Sequence, residues 1–131
     1  MGIDFSENSV EAAQLALRFV ARGATVYLMN VAPPEDLLSM VIGGFAAYQE
    51  RALAAISKLV TRLEIPAGVH VQPVVRQGDP GSVILEYAVE THAGMIAIGT
   101  RGQGFVACML VGSVATKIIR GSSSAVVTLP T

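Results

Sequence analysis

Short apolar runs alternate along the chain with longer segments whose apolar residues recur every three or four positions. Ala24 to Val31 and Met95 to Ile98 are almost uniformly apolar, as strands buried on both faces are. Between such runs, Ala13, Ala16, Leu17 and Val20 repeat at the helical period. So do Leu53, Ile56, Leu59, Val60 and Leu63, and then Val83, Ile84, Tyr87 and Ala88. Strands that alternate with amphipathic helices predict βαβ units and a parallel sheet.

Punctuating residues set the expected boundaries. Gly2-Ile3-Asp4-Phe5 reads as a first strand. A central strand is normally longer, so the pattern predicts that the chain opens partway through it. Asn8 with Glu11 three residues on matches a capping box, and the helix it opens should reach about Arg22, before Gly23. Pro33-Pro34 closes the second strand. Gly43-Gly44 should break or precede the next helix, which runs from Tyr48 to Leu63. Val69 to Val75 is a third strand containing Pro73, which cannot donate to a ladder and so belongs at a sheet edge. In Gly78-Asp79-Pro80, Asp79 is expected as N-cap and Pro80 at the first helical position, with the helix reaching about His92. A last helix is expected from about Ser113 to Arg120, then a fifth strand from Ala125 to Leu129, ended by Pro130. The expected fold class is α/β: one domain over residues 1–131, an open five-stranded parallel sheet with helices on both faces.

Composition narrows the functional classes. With 52% hydrophobic and 15% charged residues, the chain is too apolar for disorder. No apolar run approaches the roughly 18 residues that span a bilayer. A formal net charge of -1 argues against a general nucleic-acid binder. One cysteine, Cys108, excludes an internal disulfide framework and fits a reducing compartment. With no basic and then apolar stretch at the amino end, these features point to a cytoplasmic protein. After Glu90 the sequence carries Arg101, Lys117 and Arg120 but no carboxylate, and a cationic third of this kind suits an anionic ligand.

Candidate chemistry concentrates in Gly99-Thr100-Arg101-Gly102-Gln103-Gly104 and in Gly112-Ser113. Glycines let a backbone turn sharply and present N–H groups at close range. Gly112-Ser113 is expected where the last helix begins, and a helix start offers unpaired N–H donors that suit phosphate. Two donor clusters at one sheet edge would hold a polyphosphate between them. Gly102-Gln103-Gly104-Phe105-Val106-Ala107 also matches a dinucleotide fingerprint. It follows the wrong strand, however, and lacks the acidic residue about 20 positions later.

The spacing Gly99-x2-Gly102-x9-Gly112-Ser113 resembles the nucleotide-binding signature of the universal stress protein family. Asp4-Phe5-Ser6-Glu7-Asn8-Ser9, Gly78-Asp79-Pro80, Ser113-Val114-Ala115 and Ala125-Val126-Val127 resemble further segments of that family. The resemblance implies a strand order of 3-2-1-4-5, with ATP, ADP or AMP bound where the connections reverse direction. It implies that Asp4 and Val31 hold the adenine and ribose end, with Gly2 a further backbone position of the site, and that Ile98, Gly99 and Gly102 wrap ribose and phosphates; Arg101 is either a phosphate neighbour or a solvated loop charge. Gly112, Ser113 and Val114 would cradle the phosphates. Magnesium dependence is left open. It implies a homodimer paired through Ala125, Val126, Val127, Thr128 and Leu129, consistent with an apolar strand edge. Two alternatives stand beside a nucleotide-binding stress-response module. One is a slow ATP-hydrolysing enzyme, for which no convincing general base is visible near the glycines. The other is a relative that dimerises without nucleotide.

Overall fold

A computed structural model describes residues 1–3, 7–34, 43–99 and 107–129. The first helix, α1 (Glu7–Ala16), runs into a 3-10 turn, Leu17–Phe19. Strand β1 (Thr25–Ala32) leads to helix α2 (Gly44–Thr61), followed by β2 (His70–Gln77) and α3 (Pro80–Glu90). Strand β3 (Met95–Gly99), helix α4 (Ala107–Gly121) and β4 (Ala125–Leu129) complete the order.

Both strand pairs are parallel, β1 with β2 and β3 with β4. The expected five-stranded sheet of order 3-2-1-4-5 is corrected: among the described residues there are four strands in two two-stranded sheets. The segment expected as the first strand contributes Met1–Ile3, which lies between the sheets. Gly2 bridges Met29 in parallel, Ile3 N donates to Met29 O (2.8 Å), and Gly2 N donates to Ala97 O (3.2 Å). Among the described residues this segment makes one isolated bridge rather than a continuous ladder.

Helices cover both faces of the strands. On one face, Ala13 and Leu17 pack with Val26, Leu28 and Val75 of the strands and with Ala52, Ile56 and Leu59 of α2. On the other, Ile96 and Ile98 of β3 bury against Ala115 and Ile118 of α4, with Ile84 and Leu85 of α3 alongside. The Tyr27 and Tyr87 rings meet edge to face at 5.3 Å, fastening α3 to β1.

Pro73 behaves as its chemistry requires. His70 N donates to Ala24 O and Gly78 N to Ala32 O, so the even-numbered residues of β2 turn their main-chain groups toward β1. The odd-numbered Pro73 therefore places its missing N–H on the outer edge, where no ladder bond is lost.

The start of α3 also matches the sequence reading. Asp79 caps it, accepting from Ser82 N at 3.1 Å, with Pro80 in the first turn. The Asp79 carboxylate also accepts from Lys117 Nζ of α4 at 2.7 Å. The Lys117 stem lies over Gly81, where an added Cβ would sit 2.8 Å from Lys117 Cδ. The bond from Lys117, then those from Ser82, hold the Asp79 carboxyl below its usual range. A lowered carboxylate pKa contributes stability above the unfolded value of about 3.9 and loses it as pH falls through the folded value. Asp79→Ala should cost about 1 kcal/mol near neutrality by loss of the cap, and the deficit should shrink in acid below about pH 4. Urea unfolding at a series of pH values checks this.

Candidate functional site

The candidate site lies at the carboxyl ends of the strands, where Met1–Ile3 separates the two sheets. On β1 the odd-numbered residues face this segment. Met29 bonds Met1 and Ile3 there, and Val31 continues the row past Ile3. On β3 the row that contains Ala97 continues to Gly99. Main-chain groups of Val31 and Gly99 thus flank the place where the chain leaves Ile3 toward Asp4. Gly2 sits close against Ile84 and Ile98, and a Cβ added there would lie 3.2 Å from Ile84 Cδ1 and 3.8 Å from Ile98 Cγ2.

The structure therefore brings Gly2, Val31, Ile98 and Gly99 to one edge. The Ile98 side chain is buried in the core, so only its main chain can serve a ligand. Val114 likewise packs against the Ile96–Ile118 cluster. Asp4, Arg101 and Gly102 lie outside the described residues.

One expectation is overturned. The last helix begins at Ala107, not near Ser113, so Gly112 and Ser113 lie in its second turn. Ala107 to Val111 are apolar residues that continue a helix, and a glycine inside one costs only about 1 kcal/mol. The free N–H groups of a helix belong to its first four residues, here Ala107 to Leu110. The cationic reading of the last third also changes, because Lys117, although on the surface, is opposed through space by Asp79.

Sequence reasoning missed Asn30, the buried polar residue of the described core, which is 6% exposed. Its Nδ2 donates to Ile3 O at 2.9 Å, and its Oδ1 accepts from the Tyr48 hydroxyl at 2.6 Å. Asn30 thus ties β1 and α2 to the last described residue before Asp4. A polar residue inside the otherwise apolar run from Val26 to Val31 is the one signal that could have marked it.

Among the described residues, no group of three histidine, cysteine or acidic side chains is placed to hold a metal ion, and no helix is long and apolar enough to cross a membrane.

Parallel strands flanked by helices on both faces define an α/β domain. The universal stress protein family model matches residues 1–130, and the chain belongs to that family. It is 27% identical over 128 residues to the universal stress protein MJ0531 of Methanocaldococcus jannaschii, covering 91% of this chain and 73% of that protein. Its fold is similar to that of the protein MJ0577, solved as a structure-based assignment of biochemical function. The TM-score is 0.80 at 23% identity, covering 99% of this chain and 92% of that one. A universal stress protein solved in complex with cAMP has a TM-score of 0.65 at 19% identity, covering 99% and 93% of the two chains.

Proposed function

We propose that this domain binds an adenine nucleotide, ATP or a relative such as ADP or AMP, and acts as a stress-response or regulatory module rather than an efficient enzyme. The observation that carries the reading is that β3 ends on Gly99, directly before the glycine-rich segment, at the edge where the sheets divide around Met1–Ile3. The cAMP complex of a relative with the same fold supports a nucleotide as the ligand class. Gly2, Val31 and Gly99 supply main-chain contacts to base and ribose. Asp4, Arg101, Gly102, Gly112, Ser113 and Val114 remain the proposed nucleotide contacts that the family resemblance nominates. The same reading has two copies pairing along β4, whose outer edge meets no strand among the described residues.

ATP at millimolar concentration should raise the thermal midpoint, because a ligand selective for the folded state stabilises it by mass action; at 100 times Kd the gain is about 2.7 kcal/mol. Gly112→Val should leave the unliganded midpoint near its original value and remove the ATP shift. Absence of a shift in the unaltered protein, with a dimer retained in sedimentation, would assign the chain to the relatives that pair without nucleotide. The helix start at Ala107 is the observation that favours this second reading.

A further inference from the structure

Among the described residues, one buried side-chain polar atom has no hydrogen-bond partner: Nε2 of Gln77. A buried donor left unpaired costs free energy, and folded proteins rarely keep one without a reason. Gln77 is the last residue of β2 and stands opposite Ala32, the last of β1. Val31, one residue back on β1, is already placed beside the base and ribose. The unpaired amide therefore lies at the same carboxyl edge as the proposed nucleotide site, one strand spacing of about 4.8 Å outward.

The alternation of β2 fixes which face the amide occupies. Val71 and Val75 join the core beneath α2, so Gln77, two residues past Val75, shares their face. On β1 the same face carries Val26, Leu28 and Asn30. α2 ends shortly before β2 begins, so it runs toward the amino ends of the strands and starts above their carboxyl ends. Gln77 thus sits one step beyond the Asn30–Tyr48 pair, on the side where α2 begins. The Asn30 amide is bonded at both atoms, to Ile3 O and to the Tyr48 hydroxyl. The Gln77 donor, on the same face, is not. The strand end that carries it is anchored: Gly78 N donates to Ala32 O at 3.0 Å, and Gly78 has a φ of 136°, a conformation that side-chain-bearing residues rarely adopt.

We propose that Gln77 selects adenine as the base of the bound nucleotide, with Nε2 donating to a ring nitrogen and Oε1 accepting from the six-amino group. The inference rests on the nucleotide reading above. Adenine carries an acceptor nitrogen beside its amino donor, and a primary amide matches that pair with its own donor and acceptor. A base with a six-carbonyl in the same pose turns an acceptor toward Oε1, and the two repel. A site that pairs a buried polar group with its ligand rejects the analogue that leaves the group unpaired. Adenine would thus satisfy a donor that the fold by itself does not.

The test is calorimetric binding of ATP and of ITP, which has the same sugar and phosphates but a six-carbonyl, to the full chain and to Gln77→Met. The unaltered chain should bind ATP about tenfold or more tightly than ITP. Gln77→Met keeps the length of the side chain and removes the unpaired donor, so the unliganded thermal midpoint should stay level or rise. It should weaken ATP about tenfold and leave ITP within about twofold, so that the preference disappears. A ratio of ATP to ITP affinity that the substitution does not move would overturn the role of Gln77 and leave nucleotide binding intact. A fall of about 4 °C or more in the unliganded midpoint would overturn it too, because the amide would then serve the fold itself. Binding of neither nucleotide to the unaltered chain would remove the nucleotide reading, and this inference with it.

Discussion

Ile56→Ala should lower the unfolding free energy by about 2–5 kcal/mol, read as a fall in the urea midpoint at unchanged slope. Ile56 is fully buried in α2, within the cluster of Ala13, Leu17, Leu28 and Val75 that joins two helices to both strands of one sheet. Removing its branched side chain loses transfer free energy and leaves a cavity that its rigid neighbours cannot close. The proper comparison is Val89→Ala on the outer face of α3. Val89 is 66% exposed, and its truncation should stay within about 0.5 kcal/mol. Equal losses at the two positions would contradict the core described above.

The second large effect is expected at Asn30. Asn30→Leu keeps the approximate shape but leaves Ile3 O and the Tyr48 hydroxyl without their shared partner. A buried polar group left unpaired costs about 1–3 kcal/mol, so a loss of about 2–4 kcal/mol is expected. Tyr48→Phe, which orphans only Asn30 Oδ1, should cost less than Asn30→Leu. Combining the two should cost less than the sum, because the hydroxyl is then gone as well. Burial raises the Tyr48 pKa, although its bond to Asn30 pulls the other way. Neutral Tyr48 therefore contributes stability below its unfolded value of about 10, and that contribution is lost as pH rises through the higher folded value. Alkaline unfolding of Tyr48→Phe should be correspondingly flatter. On the proposed function, Asn30→Leu also weakens nucleotide binding, because Asn30 fixes the Ile3 carbonyl beside the site.

What the sequence disclosed follows the range of the interactions involved. The start of α3 was readable because a cap and its recipient stand three residues apart, and Gly78-Asp79-Pro80 carries the whole instruction. The edge position of β2 was readable from Pro73, because a missing N–H is a local fact. The start of α4 misled, because Gly112-Ser113 has the composition of a cap while the apolar residues before it continue the helix. Asn30 and Tyr48 lie 18 residues apart, and Lys117 and Asp79 lie 38 apart. Neither pairing leaves a periodic trace, so chain folding alone brings them together. The pairing of the described strands into two sheets was not legible either, because the hydrophobic pattern marks strands without saying which of them share a ladder.

The placement of Gly81 beneath Lys117 makes an electrostatic contact depend on a hydrogen atom. The ammonium reaches Asp79 because its methylene stem lies flat where residue 81 has no side chain. A single methyl at that position would lift the stem and separate a pair of charges, neither of which belongs to the altered residue. The salt sensitivity of this one surface pair is thus tuned from an uncharged site, while the apolar contacts between α3 and α4 stand apart from it.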